Sequence, residues 1–170
     1  MAATIYWVDD GGPGKVAVVQ RPRSAAIYGE LKRGGIDVLV SMLKPDEEVE
    51  VGLGNAAAYC EACGIEFVSV PVVDHGLPQS VEDTYAIVDH LCGCRRLGLG
   101  VGAHCFAGLG RSPLMISAML IHGGLSARRA VELVSDARGA AVPEMPCQQE
   151  WLRSYEAFLV DIRKSGGMIH

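Results

Sequence analysis

Three short apolar runs, Ile36 to Leu43, Ile65 to Val70 and Leu99 to His104, constrain this chain most, because each is separated from the next by stretches of helical period. A run that is apolar at nearly every position suits a strand buried on both faces, which requires helices packed on each side of a sheet. Strands that alternate with helices pair in parallel through crossover connections. The helical stretches are Ser24 to Arg33, Asp46 to Cys63, Val81 to Cys92, Leu114 to Ile121, Ser126 to Ala137 and Cys147 to Arg163. Thr4 to Val8 and Lys15 to Gln20 flank the turn Asp9-Asp10-Gly11-Gly12-Pro13-Gly14 and read as two further strands at a sheet edge. The pattern predicts an α/β fold with a single, mostly parallel central sheet flanked by helices on both faces, a three-layer sandwich. No internal repeat, low-complexity tract or linker divides the 170 residues, so residues 1–170 are expected to form one domain.

Ligands in such sheets bind beyond the carboxyl ends of the strands. At that place stands His104-Cys105-Phe106-Ala107-Gly108-Leu109-Gly110-Arg111-Ser112. Glycine reaches positive φ at little steric cost, so Gly108 and Gly110 allow the amides of Phe106, Ala107, Gly108, Leu109, Gly110 and Arg111 to turn toward one centre. Such a bowl of N–H groups cradles a phosphate. Ser112-Pro113 reads as an N-cap and first helical residue, which aims the positive end of a helix at the same centre. Arg111 adds a planar fork that matches two phosphate oxygens. A thiol in these electropositive surroundings is expected to react as the thiolate. The alternative, that Cys105 is a small core residue before an ordinary strand-to-helix turn, leaves Arg111 and His104 without a purpose.

His104-Cys105-x5-Arg111-Ser112 resembles the signature of the protein tyrosine phosphatase superfamily, and the short chain looks most like its compact dual-specificity branch. The resemblance implies the cysteine-phosphatase version of the three-layer fold. It also implies catalysis by Cys105, Arg111 and Ser112. His104 reads either as a support that orients the loop through hydrogen bonds or as a buried structural histidine. A further implied residue is an aspartate on a loop about thirty residues before the cysteine, which protonates the leaving oxygen. Asp74, within Pro71-Val72-Val73-Asp74-His75-Gly76-Leu77-Pro78, matches that place and the downstream proline. Read alone, Asp74 is by default a turn aspartate bonding its own backbone, and its pairing with the Cys105 loop raises the catalytic reading above that. Asp83 and Asp89 are weaker candidates, since both fall in the Val81 to Cys92 helix. Arg138-Gly139-Ala140 followed by Gln148, Trp151 and Leu152 also resembles the C-terminal end of the family. In some members a glutamine positions the hydrolytic water; Gln148 stands in that place, and read without the resemblance it is a helix-surface glutamine.

The reaction implied is hydrolysis of phosphate monoesters through a cysteinyl-phosphate intermediate, with phosphotyrosine, phosphoserine/threonine or both as substrate. No metal or other cofactor is required. Two alternatives remain open at this stage: a phosphoprotein-binding module without turnover, and a phosphatase of small phosphometabolites. A rhodanese-like sulfurtransferase would also place a cysteine before a helix but needs no general acid. The interior of the Cys105 loop carries no Lys or Arg, whereas relatives acting on phosphoinositides place basic residues there, so a polyanionic lipid or an RNA 5′-phosphate is less favoured.

The net charge of −5 argues against broad nucleic-acid binding. No apolar run approaches the ~20 residues that span a bilayer, and the start lacks a signal-peptide pattern, so a cytoplasmic monomer without membrane contact is expected. Six cysteines in that compartment are expected to stay reduced. Cys60-Glu61-Ala62-Cys63 has zinc-ligand spacing without a suitable second pair, and Cys92-Gly93-Cys94 does not complete it, so these read as core or partly exposed thiols. Arg95-Arg96 and Arg128-Arg129 read as solvated helix ends.

Overall fold

The computed structural model describes residues 2–166; Met1 and residues 167–170, the ends of the expected domain, lie outside the described residues. Five strands, β1 (Ile5–Val8), β2 (Val16–Val19), β3 (Val38–Ser41), β4 (Glu66–Ser69) and β5 (Val101–His104), form one sheet in the order β1-β2-β5-β3-β4. Only the β1–β2 pair is antiparallel. The seven helices among the described residues are α1 (Ala25–Arg33), α2 (Pro45–Glu50), α3 (Ala56–Cys63), α4 (Val81–Arg96), α5 (Arg111–His122), α6 (Ala127–Arg138) and α7 (Pro146–Lys164). The α/β architecture read from the alternation of apolar runs is therefore the observed one.

Period-two alternation along the central strands divides the core into two layers. Val16, Val18, Val38, Val40, Val101 and Ala103 face the layer that holds α4, α5, α6 and α7. Ala17, Val19 and Leu39 face the opposite layer, where Ile27, Tyr28 and Leu31 of α1 meet Ala56 and Cys60 of α3. Strands β2, β3 and β5 are buried at every position, whereas the edge strands β1 and β4 are not. The central strand needs a residue without a side chain: a Cβ on Gly102 would lie 2.6 Å from Val19 Cγ2 and 2.9 Å from Ile36 Cδ1. Helix α5 runs through the interior, with all its residues from Arg111 to Ile121 buried.

Two sequence expectations need correction. The helix expected over Asp46 to Cys63 is two helices, because Gly52 takes φ +78° and the chain turns before Leu53 plugs into the α1–α3 layer. That break leaves α2 as a short separate element able to approach the end of β5. Arg95 is not a solvated helix end. It is buried, its Nε donates to Gly14 O at 2.8 Å and it pairs with Asp10, so it fastens the β1–β2 turn onto α4. All six cysteines are unpaired. No helix among the described residues is long and apolar enough to cross a membrane.

Candidate active site

Strand β5 ends at His104 and delivers Cys105 to the carboxyl edge of the sheet. Helix α5 begins two residues earlier than Ser112-Pro113 suggests: Gly110 occupies the cap, and Arg111 and Ser112 are the first helical residues. The last glycine of the loop supplies the cap backbone without a side chain. Ser112 is thus released from capping, and its Oγ lies 3.2 Å from Cys105 Sγ. Both residues are buried.

The loop between them is held from outside. Arg138 of α6 donates from Nε to Gly108 O at 3.0 Å and from a terminal nitrogen to Ala107 O at 3.3 Å, and Glu144 N donates to Leu109 O at 2.8 Å. In a trans peptide the carbonyl and the following N–H point in opposite directions. The amides of Gly108, Leu109 and Gly110 therefore point away from Arg138 and Glu144. Gly108 takes φ +72°, which lets the loop bend inside so few residues. Phe106, the first loop residue, is 51% exposed and stacks under Arg21, whose Cζ is 4.4 Å from the ring centroid.

Arg111 is almost wholly buried and holds several segments at once. Its two terminal nitrogens donate to Glu47 Oε1 and Oε2 at 2.7 and 3.1 Å, a bidentate pair with α2. The first of them also donates to Val72 O at 2.8 Å and Met42 O at 3.4 Å. The second lies 3.3 Å from Asp74 Oδ1. The buried Nε makes no hydrogen bond among the described residues. Burial opposes the charge on Arg111, but the Glu47 hydrogen bonds, with Cys105 and Asp74 nearby, outweigh it and hold the guanidinium protonated beyond its ordinary range. Burial likewise opposes ionisation of Glu47, and the Arg111 hydrogen bond more than offsets it, so its carboxyl titrates below the usual range.

Asp74 sits on the loop between β4 and α4 with its carboxylate 56% exposed. Its Oδ1 accepts from His75 N at 3.0 Å, in the manner of a turn aspartate, while the same oxygen reaches Arg111. Both readings of Asp74 are thus present in one side chain. His75 takes φ +60°, an uncommon conformation for a residue with a Cβ, which sharpens the turn at this point. The turn is braced from α7. Gln148 Nε2 donates to Gly76 O at 3.2 Å, and Gln148 Oε1 accepts from Met145 N at 3.3 Å. A Cβ on Gly110 would lie 3.1 Å from the same amide. The surface reading of Gln148 is therefore wrong: the residue is fully buried between the Cys105 loop and the Asp74 loop. Asp83 and Asp89 stay on α4, where Asp89 pairs with His122.

His104 lies beneath the loop, fully buried, with Nδ1 3.5 Å from Cys105 O and Nε2 without a partner among the described residues. Burial pushes its imidazole down to about 4. The unfolded chain takes up that proton near pH 6.5, so the neutral ring contributes stability that is complete above about 6.5 and lost as pH falls toward about 4. The expected loss is about 3 kcal/mol. Urea unfolding of wild type and His104→Leu across this range tests it: wild type must lose stability relative to the variant on acidification, and a constant difference would refute the assignment.

Sequence reasoning missed Glu47 and the role of Arg138. Glu47 reads as an ordinary acidic residue in the first turn of a helix, and nothing local marks a partner 64 residues away. Arg138 was visible only as part of a turn.

A family model described as "Polymorphic toxin system, DSP-PTPase phosphatase" matches residues 16–125. The chain belongs to this family. It is a cysteine-dependent phosphatase of the protein tyrosine phosphatase superfamily, with the dual-specificity type of fold. It is 28% identical over 136 residues to the probable protein tyrosine phosphatase type IVA A of Dictyostelium discoideum, covering 75% of this chain and 72% of that one. Two further curated relatives, both tyrosine phosphatases, align over 34% and 31% of their own lengths. Among solved structures, kinase associated phosphatase superposes with a TM-score of 0.85 at 21% identity, covering 94% of this chain and 97% of that one. Tk-PTP in its active form gives 0.76 at 30% identity, covering 90% and 96%. This DSP-PTPase chain keeps Cys105, Arg111 and Ser112 within one buried cluster, with Asp74 at its mouth.

Proposed function

We propose that this DSP-PTPase forms one phosphatase domain that hydrolyses phosphorylated side chains of proteins, phosphotyrosine and/or phosphoserine/threonine, with Cys105 as nucleophile. The observation that carries the proposal is the convergence at one helix N-terminus of a thiol on a hydroxyl, Cys105 Sγ to Ser112 Oγ at 3.2 Å, and a guanidinium on an exposed carboxylate, Arg111 to Asp74 at 3.3 Å. The thiolate attacks phosphorus in line, and Asp74 transfers its proton to the departing oxygen. A cysteinyl phosphate results. Water then attacks it with Asp74, now ionised, accepting the proton, while Ser112 donates a hydrogen bond to the leaving sulfur. Arg111, through its free Nε, and the amides of residues 106–111 hold the equatorial oxygens, whose charge is where most of the rate gain in phosphoryl transfer arises. Gln148 has both ends of its amide engaged, which suits a brace for the two loops better than a group that positions water.

Substrate class is supported by the rim. Phe106, Val73 and Leu77 are exposed apolar side chains on the two loops that meet at Cys105, and residues 106–110 carry no cation. Such a rim favours a peptide side chain over a polyanion, and the net charge of −5 disfavours nucleic acid. The phosphoryl chemistry proposed needs no cofactor, and the reading extends to a monomer acting in the cytoplasm. A panel of phosphopeptides, phosphoinositides and small phosphate esters, with Cys105→Ser as blank, tests the reading. Phosphopeptides are expected to give the highest kcat/KM; preference for a small ester would replace the protein substrate by a metabolite.

Asp74→Asn is expected to lower kcat on a phosphotyrosine peptide by about 10² to 10⁴-fold with little change in KM, since proton donation acts in the transition state and not on binding. Loss of the alkaline limb of the pH profile, where a proton donor fails as it ionises, should accompany it. Equal kcat in the variant would transfer the acid role elsewhere.

A further inference from the structure

Away from the phosphatase cluster, Glu66 of β4 converges with His90 and Cys94 of α4. His90 Nε2 lies 2.7 Å from Glu66 Oε1, and Cys94 Sγ lies 3.8 Å from His90 Nε2 and 3.9 Å from Glu66 Oε2. The three donor atoms are within 4.8 Å of one another. His90 and Cys94 are one helical turn apart and so share a face, while Glu66 reaches them from the edge strand. We propose that Glu66, His90 and Cys94 form a site for one divalent cation of the zinc class, with the fourth coordination position open to solvent.

Ligand type and geometry support this. Thiolate with imidazole and a single carboxylate suits a borderline-soft ion, whereas magnesium and calcium take oxygen ligands throughout. A tetrahedral ion with bonds of about 2.0 to 2.3 Å needs ligand atoms separated by about 3.3 to 3.6 Å. The two distances to Cys94 Sγ exceed that range by only a few tenths of an ångström. The His90–Glu66 distance is that of a hydrogen bond and opens when both atoms turn to a shared ion. Cys94 is buried while Glu66 and His90 are about half exposed, so the sulfur forms the floor of the site and the other two its mouth. An ion can enter without unfolding, and the thiol proton leaves to solvent as the metal–sulfur bond forms.

This assignment gives Cys94 a role that its spacing from Cys92, Cys60 and Cys63 does not suggest. The partners of the sulfur are a histidine four residues earlier and a carboxylate on another element. The ion would tie the start of β4 to the second half of α4, the two elements that flank the segment carrying Asp74.

The test uses the full chain, stripped of metal under reducing conditions, in the Cys105→Ser background so that the reactive thiol does not compete. Cobalt(II) is the probe. One equivalent is expected to produce a thiolate-to-cobalt charge-transfer band with visible bands of tetrahedral intensity, and zinc(II) is expected to displace it. Cys94→Ser should abolish the charge-transfer band, and His90→Ala and Glu66→Gln should each weaken binding by at least about tenfold. Cys60→Ser/Cys63→Ser should leave the spectrum unchanged. Survival of the band in Cys94→Ser, or absence of any cobalt spectrum at large excess, overturns the proposal. Should Cys94→Ser fail to fold, the half-exposed His90 decides: cobalt affinity within twofold of its parent in His90→Ala overturns it equally.

Discussion

Cys105→Ser is expected to abolish hydrolysis of p-nitrophenyl phosphate, a fall of about 10⁴-fold or more, while leaving the fold and phosphate binding in place. A serine hydroxyl must be deprotonated to attack, and no base serves it in the first step: Ser112 is a hydroxyl, Arg111 a locked guanidinium, His104 lies under the backbone with its Nδ1 toward the Cys105 carbonyl, and Asp74 must then carry the proton it gives to the leaving oxygen. The smaller oxygen still fits beside Ser112, and Arg111 keeps all its partners. The variant should therefore retain substrate, with a Kd for phosphopeptide near the wild-type KM. Turnover within tenfold of wild type would remove Cys105 as the nucleophile.

Arg111→Lys is the second large effect, with an expected loss of about 10³ to 10⁵-fold in kcat/KM. The ammonium keeps the charge but not the fork: it cannot span two Glu47 oxygens, the Val72 carbonyl and Asp74 while also presenting a donor to the phosphate. The residue also has a structural share, which a second variant separates. Arg111→Met removes the charge and leaves the Glu47 carboxylate, largely shielded from water, without its partner, which is expected to cost about 3 kcal/mol of stability. Adding Glu47→Gln to Arg111→Met should restore part of that stability and none of the activity. Denaturation midpoints alongside kinetics decide the matter; recovery of activity in the double variant would show that Arg111 serves the fold alone.

The catalytic cluster was legible where its parts are contiguous. Thiol, glycines, guanidinium and hydroxyl lie within nine residues, and the strand before and helix after them follow from local pattern, so only the first helical residue was misplaced. Asp74 was reachable because a Gly/Pro-rich loop marks it and the family implies an acid there. Gln148 was misread although a signal existed. It lies in register with Trp151, Leu152, Tyr155 and Leu159, the apolar stripe of α7, and a polar residue on that stripe is buried for a reason. Arg95 falls on the stripe of α4 with Val88, Leu91 and Cys92 in the same way. Glu47 had no such signal. Its meaning depends on Gly52 ending α2 early and on the pairing of β3 with β5, a long-range contact that sequence spacing does not encode.

The side-chain-free cap at Gly110 has a consequence for efforts to strengthen the protein. A serine or aspartate at a helix start commonly adds ~1 kcal/mol by accepting a hydrogen bond from first-turn amides. At the start of α5 that acceptor would occupy the spot meant for an incoming oxyanion, and its first carbon would press on the amide of Gln148. The same substitution that tightens an ordinary helix would make this enzyme inhibit itself, so gains in thermal robustness must be sought at other helix ends.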